Sequence, residues 1–115
     1  MRASLILFLS FYFSFNAEAL EVEIQCQTKW RELLMVVKTS PETSRTYLLF
    51  LNDTEVEKYW LLPRASIQLS QELFSFEDDD TEIKIDLIEK LGEINSLGAI
   101  IRGTKSIELF DCKRY

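Results

Sequence analysis

The feature that most constrains the fold of this 115-residue chain is the position of its two cysteines. Cys26 and Cys112 lie 86 positions apart, so a bond between them would close a loop containing most of the chain. The chain-entropy model gives such a loop about 4 to 5 kcal/mol of stabilisation. This is a large share of the ~5 to 15 kcal/mol by which small domains are stable. Whether the two cysteines pair depends on the compartment in which the chain folds.

The N-terminal residues indicate secretion. A 13-residue apolar stretch, residues 3–15, follows a charged start, and Ala17 and Ala19 supply the small residues of a cleavage site. This is the pattern of a secretory signal peptide. The stretch is shorter than the roughly 20 residues that a membrane-spanning helix requires. We therefore predict a signal peptide over residues 1–19, an extracellular domain over residues 20–115, and no membrane span.

In an oxidising compartment, an even number of cysteines usually means a disulfide. We predict a bond between Cys26 and Cys112. Two free thiols or a bridge between molecules are the alternatives.

Composition excludes several function classes. The formal net charge is −6, whereas binding to nucleic acid requires a clustered basic face. The chain contains no histidine, which removes the usual nucleophile pairs and the usual zinc ligand sets. We expect no enzymatic activity, no cofactor and no nucleic-acid partner.

Short apolar runs of strand type fill the predicted domain. Apolar and polar side chains alternate in several of these runs, which is typical of half-buried strands. Residues 82–91 fit either a strand or an amphipathic helix, and the all-β surroundings favour the strand, with a helical turn near Glu89. Gly98 and Gly103 bound the last runs and predict turns with positive φ. Five to seven short strands without a long helix predict an all-β sandwich. The clearest predicted strands cover residues 20–26, 32–38 (buried on both faces), 46–52 and 106–112.

Acidic residues are concentrated between two apolar segments, in the stretch FEDDDTE. We interpret this run as a solvated loop. An alternative alignment with a calcium-binding loop fails at the position that requires glycine, where the chain has Ile83. That alignment uses Asp78, Asp80, Glu82, Asp86 and Glu89.

Two surface features are predicted near the middle of the chain. Asn52 opens the sequence Asn-Asp-Thr, an acceptor site for N-linked glycan that should lie on the surface. The aromatic and aliphatic residues Tyr59, Trp60, Leu61 and Leu62 form a candidate interface, because such side chains are common at binding hot spots. The alternative is that Trp60 and Leu62 fill the core.

The two ends of the predicted domain resemble a known family. Cys26, Trp30, the apolar strand after them and the terminal SIELFDC stretch resemble the oocyte-secreted and placenta-specific secreted proteins. That family has a zona pellucida N-terminal-type domain, an immunoglobulin-like sandwich whose first and last cysteines join its first and last strands. Where the family carries Cys-Gly, this chain has Leu91 and Gly92, and Leu73 lies near the place of the partner cysteine.

The resemblance implies a secreted protein of the oocyte or reproductive tract. Such a protein would act through contacts with secreted or cell-surface proteins, self-association included. The resemblance also implies that an apolar contact replaces the family's inner disulfide. The alternative function is a secreted signalling ligand or inhibitor that engages a cell-surface receptor through residues 59–62 and the acidic loop.

Overall fold

The computed structural model describes residues 21–115, and the predicted signal peptide over residues 1–19 lies outside this range. The described chain forms nine strands and one short 3-10 turn, Arg64–Ser66. The strands are β1 (Glu23–Gln27), β2 (Leu33–Thr39), β3 (Thr46–Asn52), β4 (Glu55–Leu62), β5 (Ile67–Leu69), β6 (Leu73–Glu77), β7 (Thr81–Asp86), β8 (Leu91–Ser96) and β9 (Ser106–Arg114). The all-β prediction is confirmed, although the strands outnumber the five to seven expected. Within residues 21–115, no helix has the length and apolar character needed to cross a membrane.

All neighbouring strands are antiparallel, in the order β4-β3-β2-β1-β9-β8-β7-β6-β5. Every neighbouring pair except β1 and β9 is also consecutive in the chain. The described chain is therefore a meander without the Greek-key crossover of immunoglobulin domains. Its first and last strands meet at the centre of the sheet, and its free edges, β4 and β5, come from the middle of the sequence.

Strand β9 lets the single sheet fold over on itself. Its first part, from Ser106 to Leu109, pairs with β8, whereas Phe110 and the residues after it pair with β1. Asp111 lies just after this change of partner and has a φ of 50°. We call the part formed by β1–β4 with the end of β9 the first half-sheet, and the part formed by β5–β8 with the start of β9 the second half-sheet. Together they make a nearly barrel-shaped sandwich.

One hydrophobic core lies between the half-sheets. Alternate residues of nearly every strand point inward, since successive side chains of a strand face opposite sides. The largest fully buried side chains come from both half-sheets and are Phe50, Phe74, Ile24, Leu33, Met35, Leu48, Ile83, Ile85, Ile94, Ile107, Leu109 and Val37.

The disulfide between Cys26 and Cys112 joins β1 to β9 and is confirmed. The exposed fractions of the two residues are 0% and 1%, so the bond belongs to the core. The pairing of β1 with β9 shifts register between Gln25 and Gln27, beside this bond. The disulfide thus fastens the two ends of the meander where the chain itself provides no connection.

The strand prediction for residues 82–91 is confirmed for residues 82–86 and for Leu91, whereas residues 87–90 form the turn between β7 and β8. Asp86 accepts hydrogen bonds through Oδ1 from the amides of Ile88 and Glu89, both at 2.9 Å. The Lys90 amide donates to the Asp86 carbonyl at 2.8 Å, and Lys90 has a φ of 64°. This local bonding explains why the sequence also resembles a helix around Glu89.

Two smaller expectations were partly wrong. Gly103 has the predicted positive φ, 77°, but Gly98 does not. Leu73 and Leu91 lie on the outside of the second half-sheet, 43% and 51% exposed, with Asp86 of β7 between them in register. They therefore do not replace an inner disulfide within the core.

Candidate functional site

The candidate site is an apolar surface on the outside of the first half-sheet. Three rows of cross-strand partners run over β2, β3 and β4, and they place apolar side chains on the face opposite the core. The three rows are Leu34, Leu51 and Val56; Val36, Leu49 and Tyr59; and Lys38, Tyr47 and Leu61. We call the eight apolar members of these rows the outer apolar face.

Exposure of the outer apolar face increases toward β4. Val36 is nearly covered by its neighbours at 3% exposure, whereas Tyr59 and Leu61 are 63% and 48% exposed. Tyr47 and Tyr59 pack edge to face, with ring centroids 6.3 Å apart. Gln25 and Gln27 of β1 border the apolar side chains of Val36 and Leu34 in register. An exposed apolar patch with a polar rim is the usual mark of a protein contact surface.

The structure divides the four predicted interface residues between the two faces of β4. Tyr59 and Leu61 point outward, whereas Leu62 is buried at 3% and Trp60 is half-buried against the core. Trp60 packs edge to face on Phe50, with centroids 5.9 Å apart. Only Tyr59 and Leu61 therefore belong to the exposed surface, because strand residues alternate between faces.

Strand β4 is also a free edge. It pairs with β3 on one side, and among residues 21–115 it has no strand partner on the other. The register with β3 shifts between Phe50 and Leu51 and leaves Glu57 without a partner, so β4 bulges near its start. Bulges protect edges from pairing, so the regular, pairing-competent part of the edge extends from Lys58 to Leu62. The opposite edge, β5, is only three residues long.

A small crevice lies next to the free edge. Its volume is about 80 Å³, and three consecutive residues of β4, Trp60 to Leu62, border it. Consecutive strand residues face opposite sides, so a crevice that touches all three runs along the edge of the strand. The opposite wall consists of Phe76, Asp78, Thr81, Ser96, Ala99 and Ile100.

The acidic run forms the turn between β6 and β7. Oδ1 of Asp78 accepts hydrogen bonds from the amides of Asp80 and Thr81, at 2.9 and 2.8 Å. Glu82 belongs to β7, so the acidic residues divide between a tight turn and a strand. Within residues 21–115, no group of three or more Cys, Asp or Glu side chains is placed to hold a metal ion. Asp78 instead forms part of the crevice wall.

Asn52 is the last residue of β3, at the hairpin turn to β4. Asp53 and Thr54 of the glycan acceptor sequence form the turn and are exposed, and Asp53 has a φ of 60°. Asn52 follows outward-facing Leu51 and thus points toward the rim of the core. Its cross-strand partner Glu55 lies six positions before Leu61, about 20 Å along β4. A glycan on Asn52 would leave the exposed end of the outer apolar face accessible.

Arg102, in the loop between β8 and β9, ties this loop to the first half-sheet. Its guanidinium lies 3.1 Å from carboxylate oxygens of Glu32 and Glu57, and 5.6 Å from the centroid of the Trp30 ring. Lys29 lies over the same ring at 4.7 Å. Trp30 itself packs partly against the core.

Hydrogen bonds around Arg102 and Glu32 shift the pKa values of both residues. The pKa of Glu32 lies below its ordinary 4.5, first because of a backbone hydrogen bond at residue 32 and then because of the Arg102 side chain. Hydrogen bonds to Glu57 and then Glu32 raise the pKa of Arg102. Since folding lowers the pKa of Glu32, its stabilising contribution is complete above pH 4.5 and is lost as pH falls through the lowered value.

Sequence reasoning missed the part of the outer apolar face that belongs to β3. The signal was present, since Tyr47 to Leu51 form an unbroken apolar run. A strand with one face in water would alternate apolar with polar residues. A continuous run in a strand next to the edge indicates a second apolar face.

The sequence matches no protein-family model and no curated protein, and the fold matches no solved structure.

Proposed function

We propose that this chain is a secreted, non-enzymatic protein-binding module that contacts its partner through the outer apolar face. The observation that supports the proposal is the exposure of Tyr59 and Leu61 beside three rows of apolar side chains. Tyrosine buries a large area at low entropic cost and is enriched in binding surfaces. Removal of this surface from water on binding would supply the main driving force.

The other half-sheet is a weaker candidate surface. Its outer face carries the cross-strand row Lys84, Glu93 and Glu108, in which charged side chains lie side by side. Leu73 and Leu91 are exposed there, but Asp86 lies between them in register. Charged residues are depleted from the centres of protein interfaces, which favours the first half-sheet.

The proposal of secretion is supported by the signal-peptide pattern and by the disulfide, since such bonds persist mainly in oxidising compartments. Expression of the full chain in secreting cells should yield a mature protein that begins at Leu20. Asn52→Gln should lower its mass by one glycan. Retention of residues 1–19 in the recovered protein would contradict the proposal.

The zona pellucida-like affiliation stays a proposal based on Cys26, Trp30 and the closing strand. The disulfide between the first and last strands supports it. The meander order of the strands differs from the Greek key of immunoglobulin-like domains, so the binding proposal rests on the exposed surface alone. By that affiliation, proteins of the oocyte or reproductive tract are the first partners to test.

Site-specific photo-crosslinking tests the binding surface. A benzophenone amino acid replaces Tyr59 in one variant and Lys84 in a control, because both side chains are well exposed. The variants are irradiated with reproductive-tract secretions and cell-surface proteins. We expect a discrete protein adduct at position 59 that Leu49→Lys abolishes, and none at position 84. Equal adducts at both positions, or none at position 59, would overturn the proposal.

A further inference from the structure

We infer that the partner binds as an extended strand that adds to the free edge of β4, with its basic N-terminal end at the turn Asp78–Asp80. This inference rests on the proposed protein-binding function and specifies how the partner is recognised. Strand addition obtains affinity from main-chain hydrogen bonds and specificity from pockets for alternate side chains. The β4 edge offers both.

The main-chain component comes from residues 58–62. This segment is regular, long enough for several ladder hydrogen bonds, and has no partner strand on its outer side within the described chain. Tyr59 and Leu61 are exposed on one face of this edge, so the edge is apolar where it is open. Natural edges are usually protected by bulges, charges or short length. Here the bulge and Glu57, which also binds Arg102, protect the start of β4, and Lys58 is the one charged residue of the segment 58–62.

The side-chain pocket is the crevice beside Trp60, Leu61 and Leu62. Its volume of about 80 Å³ is far below the ~300 to 1,000 Å³ of sites for drug-sized ligands. It has room for a single aliphatic side chain. A strand added to β4 would point alternate side chains toward the core side, and one of them would enter the crevice between Leu62 and Phe76. The other alternate side chains would extend the outer apolar face next to Tyr59 and Leu61.

Charge sets the direction and the composition of the incoming strand. Asp78 lies in the crevice wall together with Leu62, so the acidic turn is next to the C-terminal end of β4. An antiparallel strand begins at this end, and its first residues would meet Asp78, Asp79 and Asp80. Opposite charges across an interface favour encounter and fix register. The complementary partner therefore begins with lysine or arginine and continues with alternating apolar residues.

The same charges disfavour a second copy of this chain as the occupant. If β4 of another copy paired antiparallel, its first residues would lie near the acidic turn. Those residues include Glu55 and Glu57, which would bring like charges together. A different protein segment, basic at its N-terminal end, fits the edge better than the chain's own β4.

A synthetic peptide tests the inference directly. The probe is acetyl-Lys-Arg-Val-Thr-Val-Thr-Val-Thr-amide, added to the mature, disulfide-bonded protein. One control peptide carries the basic pair at its C-terminal end. A second has the sequence of the probe, but the alternate amides that would donate hydrogen bonds to β4 are N-methylated. Hydrogen exchange of the β4 amides is followed by NMR, together with the oligomeric state by light scattering.

We expect the probe to slow exchange of residues 58–62 at least tenfold and to bind at least tenfold more tightly than either control. Asp78→Asn with Asp80→Asn should reduce the preference for the N-terminal basic pair to less than threefold. Binding without protection of β4, no binding up to millimolar peptide, or equal binding of the N-methylated peptide would overturn the inference. Dimerisation through β4 without peptide would also overturn it, in favour of a second copy. Crosslinks at Tyr59 with no peptide effect would leave the proposed function standing and reject only strand addition.

Discussion

Loss of the disulfide should remove a large part of the stability of this domain. The bond closes a separation of 86 residues, and the chain-entropy model assigns such a loop about 4 to 5 kcal/mol. It also joins β1 to β9, the one neighbouring pair that no short connection holds together. Loss of the bond therefore frees both ends of the meander at the centre of the sheet. For a domain of this size, a loss of that magnitude lowers the melting temperature by about 20 °C or more.

The measurement is chemical and thermal denaturation of the wild type and of the double variant Cys26→Ala, Cys112→Ala, each with and without reductant. We expect the reduced wild type and the double variant to unfold at similar, much lower midpoints. Reductant should leave the double variant unchanged, which controls for effects unrelated to the bond. Thiol counting by mass must show complete reduction. A fully reduced wild type that keeps its melting temperature would refute the reasoning.

Three further predictions test the core, the sheet and the loop between β8 and β9. Trp60→Ala should lower the free energy of unfolding by about 2 kcal/mol, roughly half the cost of truncating a fully buried tryptophan. Tyr59→Ala should change it by no more than about 0.5 kcal/mol. Equal losses for the two variants in urea titrations would contradict the assignment of Trp60 to the core side and Tyr59 to the outer side. Gly92→Ala should cost about 1 to 3 kcal/mol, because its Cβ would lie 2.7 Å from the Lys84 carbonyl oxygen. Gly98→Ala should have little effect on stability, because no atom lies within 4 Å of the added Cβ. A larger loss of stability from Gly98→Ala than from Gly92→Ala would contradict the close approach of β7 to Gly92. Arg102→Ala should lower the urea midpoint at pH 7, and the difference from wild type should shrink as the pH falls through the lowered pKa of Glu32. A pH-independent difference would exclude the Glu32 ion pair as the cause.

The elements of this fold were visible in the sequence to different degrees. The strand at residues 46–52 coincides with β3, because Asn52 and the turn after it stop an uninterrupted apolar run. The two cysteines also predicted which strands meet, since no other pairing was available within one chain. Residues 82–91 were ambiguous because the turn at Asp86 places a helix-like hydrogen bond between two strands.

Strand order and the exposed surface were harder to predict. Alternation along β4 separates Tyr59 and Leu61 from Trp60 and Leu62, but it does not say which pair faces the core. That choice depends on register with β3, where Leu48 lies opposite Trp60 and Leu49 opposite Tyr59. Register is a property of strand pairing across the sheet, and a single strand's sequence does not specify it.

The topology explains why the proposed binding edge lies in the middle of the sequence. Because the disulfide holds β1 and β9 together at the centre of the sheet, the meander must end at β4 and β5. Pro63 and the 3-10 turn after it separate these two strands, and proline cannot donate a ladder hydrogen bond. The sheet therefore does not close there, and of the two strands left open β4 is the longer and carries exposed Tyr59 and Leu61. The cysteine pair that stabilises the ends of the chain thus also leaves β4 available to a partner.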